Sequence, residues 1–260
     1  MSHVTTEITD KIAHVTLARP DKMNAISLEM LEEVIAAAHA LKGAEINCVL
    51  LSGEGRAFCA GIDLMSLSAL VGQDMQEVLV KRTHGQRNSF QEFALAWRDL
   101  EVPVIAALHG VCFGAGLQLA AGADIRIAAP DTRLSIMEMK WGLVPDMGGM
   151  VLLPRLLRSD VLRRLVYTAD VIDAVQAERW GLVTERADDP KARALELART
   201  IAQQSPSALR AAKSLIAQAE SDEAAQVLRA EAQAQAELIG KPDQMVAIAR
   251  GMAKKTAGKE

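Results

Sequence analysis

The sequence predicts an α/β fold in which short buried strands alternate with glycine-containing loops and helices. Strands are indicated where apolar residues alternate or form short runs, at 3–9, 12–18, 48–51, 103–108 and 124–128. A helix from Ser27 to about Leu41 is indicated by apolar residues spaced three or four apart. Because strand, glycine loop and helix recur in this order, we expect one α/β core with neighbouring layers.

Composition excludes several classes of function. The chain has 260 residues, of which 50% are hydrophobic and 24% charged, as in an ordinary globular protein. A net charge of -4 and an aromatic content of 3% argue against nucleic-acid and anionic-membrane partners. Cys48, Cys59 and Cys112 show no metal-binding spacing, which predicts reduced thiols and no metal. With no signal peptide visible, we expect a cytoplasmic protein.

The rest of the chain is predicted to be mainly helical. A long helical stretch at 74–100 is expected to cover a site, and no strand is predicted beyond about residue 184. Alanine-rich segments predict helices at 190–203, 207–219, 222–239 and 243–253. We therefore divide the chain into a core, 1–190, and a C-terminal helical region, 191–260, within one continuous domain.

Two glycine-containing loops are the candidate chemical elements. One spans residues 58–64 and the other residues 109–116. Glycine lets a backbone approach a ligand closely or adopt a positive φ, and a helix from about Gly116 would direct its unpaired N–H groups into the second loop. Each loop alone is weak evidence and is better explained by the turns of a compact α/β protein.

Considered together, these loops resemble a known family. AFCAGIDL and HGVCFGAGLQLAAGADIRIA resemble the two fingerprint segments of the crotonase (enoyl-CoA hydratase/isomerase) superfamily, ARPDKMNAI its coenzyme A loop, and MEMKWGLVPDMGGMVLLPRL its catalytic-acid segment. The resemblance implies a crotonase-like spiral of ββα units and a homotrimer or dimer of trimers joined through the C-terminal helical region. It also implies an acyl-CoA thioester substrate and no separate cofactor, since coenzyme A is part of the substrate.

The resemblance further implies an oxyanion hole made by the backbone N–H groups of Ile62 and Ala115. Ala115 stands where a glycine is usual. Each such donor is worth about 3 kcal/mol in a transition state that carries negative charge on oxygen. The cations of Lys22 and Arg56 would meet phosphates, and the implied coenzyme A and substrate positions are Lys22, Ala25, Arg56, Ala60, Gly61, Ile62 and Gly114.

Three polar residues are the predicted catalytic group. Glu138 matches the family's proton-delivering glutamate, whereas Gln118 stands where hydratases carry a water-activating glutamate, and a carboxamide cannot act as a base. Asp146 stands where hydratases carry glycine and dienoyl-CoA isomerases an acid, although those isomerases also carry an acid at the Gln118 position. Structural roles stay open: Asp146 as the cap of a helix beginning near Gly148, Gln118 as a hydrogen bonder, and Asp63 as a loop cap.

This pattern favours double-bond isomerisation of enoyl- or dienoyl-CoA through a thioester enolate, with Glu138 and Asp146 moving protons. Hydration of 2-enoyl-CoA, as in fatty acid β-oxidation, is the first alternative. Other crotonase chemistry, such as thioester hydrolysis, decarboxylation or dehalogenation, would use the same oxyanion hole. A weakly catalytic subunit that binds coenzyme A and serves assembly is the alternative from a different class.

Overall fold

A computed structural model describes residues 2–220, together with residues 242 and 246. Its strands lie at Val4–Thr9 (β1), Ile12–Leu17 (β2), Cys48–Gly53 (β3), Val104–Leu108 (β4), Val111–Phe113 (β5), Ile125–Ala128 (β6), Arg133–Ser135 (β7), Ile172–Asp173 (β8) and Glu185–Arg186 (β9). Its helices lie at Leu28–Ala40 (α1), Leu64–Ala69 (α2), Ser89–Arg98 (α3), Ala115–Ala121 (α4), Gly149–Leu156 (α5), Ser159–Thr168 (α6), Ala174–Trp180 (α7), Pro190–Ala202 (α8) and Pro206–Ala219 (α9). Short 3₁₀ turns occupy Pro20–Lys22 and Glu138–Trp141.

The larger sheet has the strand order β1-β2-β3-β4-β6-β9. β1 and β2 form an antiparallel hairpin, and the remaining neighbours are parallel. Asp10 and Lys11 turn the hairpin with φ of 52° and 61°, the positive values that a two-residue turn between twisted strands requires. The predicted hairpin is therefore confirmed, with its turn at the expected residues.

The smaller sheet, β5-β7-β8, lies beside loops that extend it through isolated bridges. Cys59 pairs with Cys112 of β5, and Ile26 pairs with Ile62. The chain thus passes from β3 to the Cys59 bridge, from β4 to β5, and from β6 to β7, and each passage leads to a helix or helical turn. This repeated path is the predicted spiral of ββα units.

The larger sheet is buried on both faces. Val49, Leu51 and Leu108 face the main core, which also contains residues of α1 and α3. The alternate residues Leu50 and Ile105 face α8 instead, in a second apolar cluster. Burial on both sides explains why β3 and β4 are almost continuous apolar runs, and it makes α8 the cover of one sheet face.

Two secondary-structure predictions were wrong. Residues 74–100 do not form one helix: a π-helical turn at Gln76–Val80 is followed by a loop and then by α3. Gly85, at a φ of 64°, interrupts the helix, and Asn88 starts α3 with a reciprocal capping box. A strand does occur beyond residue 184, because β9 pairs with β6, but its two residues are too few to show periodicity.

The predicted helices at 190–203 and 207–219 correspond to α8 and α9. Those predicted at 222–239 and 243–253 lie outside the described residues, except for positions 242 and 246. Among the helices that the structure describes, none has the length and apolar character needed to cross a lipid bilayer.

The contact between α3 and α4 predicts a steric effect at Gly122. A Cβ atom there would clash with the carbonyl oxygen of Ala94, and backbone atoms cannot move aside as a flexible side chain can. We expect Gly122→Ala to lower the free energy of unfolding by about 3 kcal/mol, the upper part of the range for overpacking. Gly43→Ala is the control, since a Cβ atom there would meet open space. We expect this variant to lose only the free energy of placing alanine in a left-handed backbone conformation, about 1 kcal/mol. Equal losses in urea unfolding would contradict the steric explanation.

Candidate active site

The two predicted glycine loops are joined by backbone hydrogen bonds. The Cys59 N–H donates to the Val111 carbonyl at 3.1 Å, and the Phe113 N–H donates to the Cys59 carbonyl at 3.0 Å. Gly61 has a φ of 102°, and a Cβ atom on it would lie 3.1 Å from the Phe113 carbonyl oxygen. Glycine is strongly favoured at this position because a φ of 102° strains any other residue and the close approach leaves little room for a Cβ atom.

This junction brings the predicted oxyanion donors to one place. Ile26 exchanges backbone hydrogen bonds of 2.8 Å with Gly61 and Asp63, so the intervening Ile62 N–H points away from Ile26. The Ala115 N–H opens α4, where the helix itself provides no acceptor. A Cβ atom on Gly61 would lie 4.0 Å from the Ala115 nitrogen. The segment carrying Ile62 therefore lies directly beside Ala115.

The Glu138 carboxyl lies against the second of these loops. A Cβ atom on Gly114 would be 3.4 Å from Glu138 Oε1, and Gln118 Nε2 donates to the same oxygen at 2.6 Å. Glu138 Oε2 is buried and has no hydrogen-bond partner among the described residues. Burial raises the pKa of Glu138, and the negative charge of Asp146 raises that pKa further. The site thus favours a protonated glutamic acid more than water does.

Gln118 is held by three hydrogen bonds at once. Besides its bond to Glu138, its side-chain oxygen accepts from the backbone N–H groups of Met147 and Gly149, both at 2.9 Å. The structural interpretation of Gln118 is therefore confirmed, because its carboxamide caps the start of α5. The interpretation of Asp146 as that cap is wrong, since the N-cap residue is Gly148, which has no side chain, and the Gly149 N–H is bonded by Gln118.

Asp146 is a second carboxyl of the same region. Its side chain is exposed, yet the protein atoms around it desolvate the carboxyl enough to raise its pKa. Its charge acts on Glu138 across the turn that Gln118 holds. Two carboxyls with raised pKa values therefore flank the segment between residues 138 and 146.

The predicted coenzyme A residues lie on adjoining loops. The Ala60 N–H donates to the Met23 carbonyl at 3.0 Å, which joins the segment containing Lys22 and Ala25 to the one containing Arg56. Both Lys22 and Arg56 are exposed. The two cations are therefore on neighbouring surface segments, as their predicted contact with phosphates requires.

Three polar residues of this region were not predicted as parts of the site. Arg19 Nη1 donates to Asp63 Oδ2 at 2.6 Å and to the Ala25 carbonyl at 2.8 Å. Buried Asn24 donates to the carbonyls of Glu54 and Ala57, both at 2.9 Å. Asp63 caps α2 by accepting from the Met65 N–H, as predicted for a loop cap. Its bond to Arg19 spans 44 residues, so no local pattern could indicate it.

A cavity of about 410 Å³ lies away from these residues, at the C-terminal end of α4. Its walls come from α3, α5 and α9 and include Arg98, Asp124, Arg155 and Lys213. None of the predicted site residues lines it. The predicted oxyanion residues lie instead at the N-terminal end of α4.

Comparison with known proteins identifies the family. The sequence model of the Enoyl-CoA hydratase/isomerase family matches residues 7–254. The chain belongs to this family. "Probable enoyl-CoA hydratase echA14" of Mycobacterium tuberculosis is 37% identical over 188 residues, which are 72% of this chain and 70% of that protein. The mitochondrial "Delta(3,5)-Delta(2,4)-dienoyl-CoA isomerase" of Dictyostelium discoideum is 30% identical over 212 residues, 78% of this chain and 71% of that protein.

Solved structures confirm the fold of this enoyl-CoA hydratase/isomerase family member. The crystal structure of an enoyl-CoA hydratase from Bacillus anthracis superimposes with a TM-score of 0.86 at 29% identity, covering 97% of this chain and 96% of that one. The predicted crotonase-like α/β spiral is therefore correct. Both hydratases and an isomerase occur among the relatives, so membership of the family leaves the reaction to be decided by the site.

The raised pKa of Glu138 predicts a pH-dependent gain of stability when that residue is neutralised. The folded chain binds this proton more tightly than the unfolded chain, so the stabilisation is present at acid pH and is lost as pH rises through the folded-state pKa. Glu138→Gln keeps the shape and removes the buried charge. We expect the variant to melt at a higher temperature than the wild type at about pH 8, with the difference shrinking toward about pH 4.

The control for this prediction is Glu196→Gln, which neutralises a largely exposed glutamate paired with Arg193 on α8. Surface ion pairs contribute little to stability, so its melting temperature should follow the wild type at each pH. A difference between Glu138→Gln and wild type that does not depend on pH would contradict the burial of a titrating carboxyl.

Proposed function

We propose that this chain catalyses double-bond isomerisation of enoyl- and dienoyl-CoA thioesters through an enolate. The observation that carries the proposal is the hydrogen bonding of Gln118. Its oxygen already accepts two backbone N–H groups, and its nitrogen donates to Glu138. A carboxamide in these bonds neither takes a proton nor presents a free oxygen to a water molecule. The position that would activate water in a two-glutamate hydratase is therefore occupied structurally.

Isomerisation requires only that a proton be moved. With the thioester oxygen at the N–H groups of Ile62 and Ala115, removal of a C2 proton from a 3-enoyl-CoA by ionised Glu138 forms a dienolate. Return of that proton to C4 shifts the double bond to C2 and restores ionised Glu138, with no water consumed. Charge that develops on the thioester oxygen is stabilised by the two donors. The raised pKa of Glu138 suits a group that both takes and returns a proton.

Asp146 extends the proposal to dienoyl substrates. Moving a proton across a longer conjugated system requires proton transfer at two separated carbons, and Asp146 supplies a second carboxyl with a raised pKa. Similarity to a relative named as a dienoyl-CoA isomerase supports this part of the proposal.

Hydration of 2-enoyl-CoA is the second candidate, because a relative with higher identity is named as an enoyl-CoA hydratase. In this chain Glu138 alone would have to orient the water and deliver the proton. A role limited to binding coenzyme A is the candidate outside catalysis.

The proposal also includes a cytoplasmic location and an assembly of three or six subunits. Trp141, Val144 and Met150 expose apolar surface that would suit a contact between subunits.

The products of a substrate panel test this function. The wild type is incubated with 2-enoyl-, 3-enoyl- and dienoyl-CoA, and the products are analysed by mass spectrometry and absorbance. We expect products of unchanged mass from the 3-enoyl and dienoyl substrates. If the fastest reaction were instead the addition of water to 2-enoyl-CoA, seen as a product heavier by one water, hydration would replace isomerisation as the proposed function. Binding with no turnover of any thioester would support the binding subunit.

Glu138→Gln is the decisive variant for the proton-transfer assignment. We expect kcat to fall by roughly two to four orders of magnitude, the usual contribution of a positioned acid or base. Binding of acyl-CoA should survive, because the amide keeps the shape and still accepts from Gln118 Nε2. The matched control, Glu196→Gln on α8, should keep wild-type kcat. Full activity of Glu138→Gln on every substrate would refute the assignment.

Gln118→Glu is expected to raise hydration relative to isomerisation. A carboxyl at 118 would retain the bonds from Met147 and Gly149 and would place a second acid about where Nε2 lies, 2.6 Å from Glu138 Oε1. Two carboxyls this close share a proton, which gives one acid and one base. The ratio of hydrated to isomerised product, measured on the same panel, should rise at least tenfold. A well-positioned acid or base contributes about a hundredfold or more, so a tenfold rise allows for imperfect placement of the new carboxyl. An unchanged ratio would argue against Gln118 as the determinant.

A further inference from the structure

The helix that follows the Ile62 donor buries none of its residues in the apolar core. α2 begins two residues after Ile62 and contributes no buried residue. Leu64 and Met65 expose 52% and 79% of their surface. On this side of the donor, packing against the core begins only at the partly buried Leu70. An interaction closer to Ile62 is therefore needed to limit movement beside the donor.

An ion pair lies at this point. Arg19 and Asp63 are mostly buried, with side-chain exposures of 19% and 15%, and their contact of 2.6 Å is a charge-assisted hydrogen bond. The same Arg19 nitrogen donates to the Ala25 carbonyl at 2.8 Å. Ile26, the next residue, pairs with the backbone on both sides of Ile62. Arg19 thus connects the two chain segments that meet at the donor.

The charges of this pair also matter for an anion. An isolated carboxylate one residue after an oxyanion donor would oppose negative charge on the thioester oxygen. The Arg19 guanidinium offsets that charge and lowers the pKa of Asp63 by hydrogen bonding to it. Asp63 therefore stays ionised and paired, so the donor has a rigid and electrically balanced neighbour.

We propose that the Arg19–Asp63 pair is a positioning element for the Ile62 oxyanion donor, acting on the transition state and not on binding of the thioester. This inference rests on the proposed function, since it assigns the pair a role in forming the enolate. It applies to any enolate chemistry of the site, whether the proton is moved along the acyl chain or added together with water.

Two single variants and their combination test the pair. Asp63→Asn removes the charge while keeping a side chain that caps helices well, and we expect kcat to fall about tenfold with KM within about threefold of wild type. Arg19→Gln leaves the Asp63 carboxylate unpaired beside the donor, and we expect a loss of about a hundredfold, comparable to losing a donor. The double variant should recover to about the Asp63→Asn value, because the unpaired charge is gone.

The control is Asp160→Asn, which breaks an arginine–aspartate pair, Arg158–Asp160, with exposures of 75% and 72% on α6. It should leave kcat, KM and the melting temperature unchanged. Thermal melts of every variant separate a folding defect from a loss of positioning. Wild-type kcat in both single variants, a loss confined to KM, or a double variant whose loss is the product of the two single losses would each overturn the proposal.

A spectroscopic measurement separates this inference from the proposed function. Acetoacetyl-CoA ionises to an enolate that absorbs at a longer wavelength than the keto form, so the absorbance of the bound ligand reports stabilisation of the oxyanion without turnover. We expect wild type to raise the enolate fraction and Arg19→Gln to lower it at least tenfold while still binding acetoacetyl-CoA. An enolate signal with no turnover of the panel would overturn only the proposed reaction. An equal signal in wild type and Arg19→Gln would overturn only the positioning role.

Discussion

The backbone pairing of Cys59 with β5 is the constraint on which the site depends. It joins a loop that leaves one strand of the large sheet to the strand that follows its neighbour, through two hydrogen bonds of 3.0 and 3.1 Å. Gly61 and Gly116 make the junction close, since a Cβ atom on Gly116 would lie 2.6 Å from Cys59 Cβ. The backbone N–H groups that we propose as oxyanion donors are consequently held first by the pairing of these segments, to which the Arg19–Asp63 ion pair adds at Ile62.

The Gln118 carboxamide connects the helix that begins at Ala115 to the segment that carries Glu138. Gln118 lies one turn after Ala115 on α4, and it bonds to Glu138 and to the start of α5. A two-glutamate hydratase mechanism would lack a base at this position. The segment that carries Glu138 is instead held by an uncharged side chain. The buried Oε2 atom of Glu138 has no hydrogen-bond partner among the residues that the structure describes. That unsatisfied group is costly to stability and is typical of a residue retained for its chemistry.

Control of negative charge is the common theme of the region. The chain has a net charge of -4, so the anionic intermediate that we propose would depend on local donors and on offsetting nearby negative charge. Burial favours the neutral form of Glu138, and Arg19 pairs with Asp63. These two carboxyls are in this way protonated more readily or balanced by a cation, an arrangement that would favour the enolate of the proposed reaction.

The sequence by itself determined the α/β class, most strands, the capped helix α1 and the family, because these depend on local periodicity, turn residues and motif order. It also predicted Glu138 and the loops carrying Ile62 and Ala115 as parts of one site, and the structure places these segments close together. Only the tertiary structure decided that Gln118 caps α5, that Asp146 does not, and that Arg19 pairs with Asp63. Those contacts join residues 29 to 44 positions apart, and their partners are set by how sheets and helices pack. Local pattern carries no information about such distant neighbours, and it also missed the strands β5, β7, β8 and β9, each of two or three residues, and the break at Gly85.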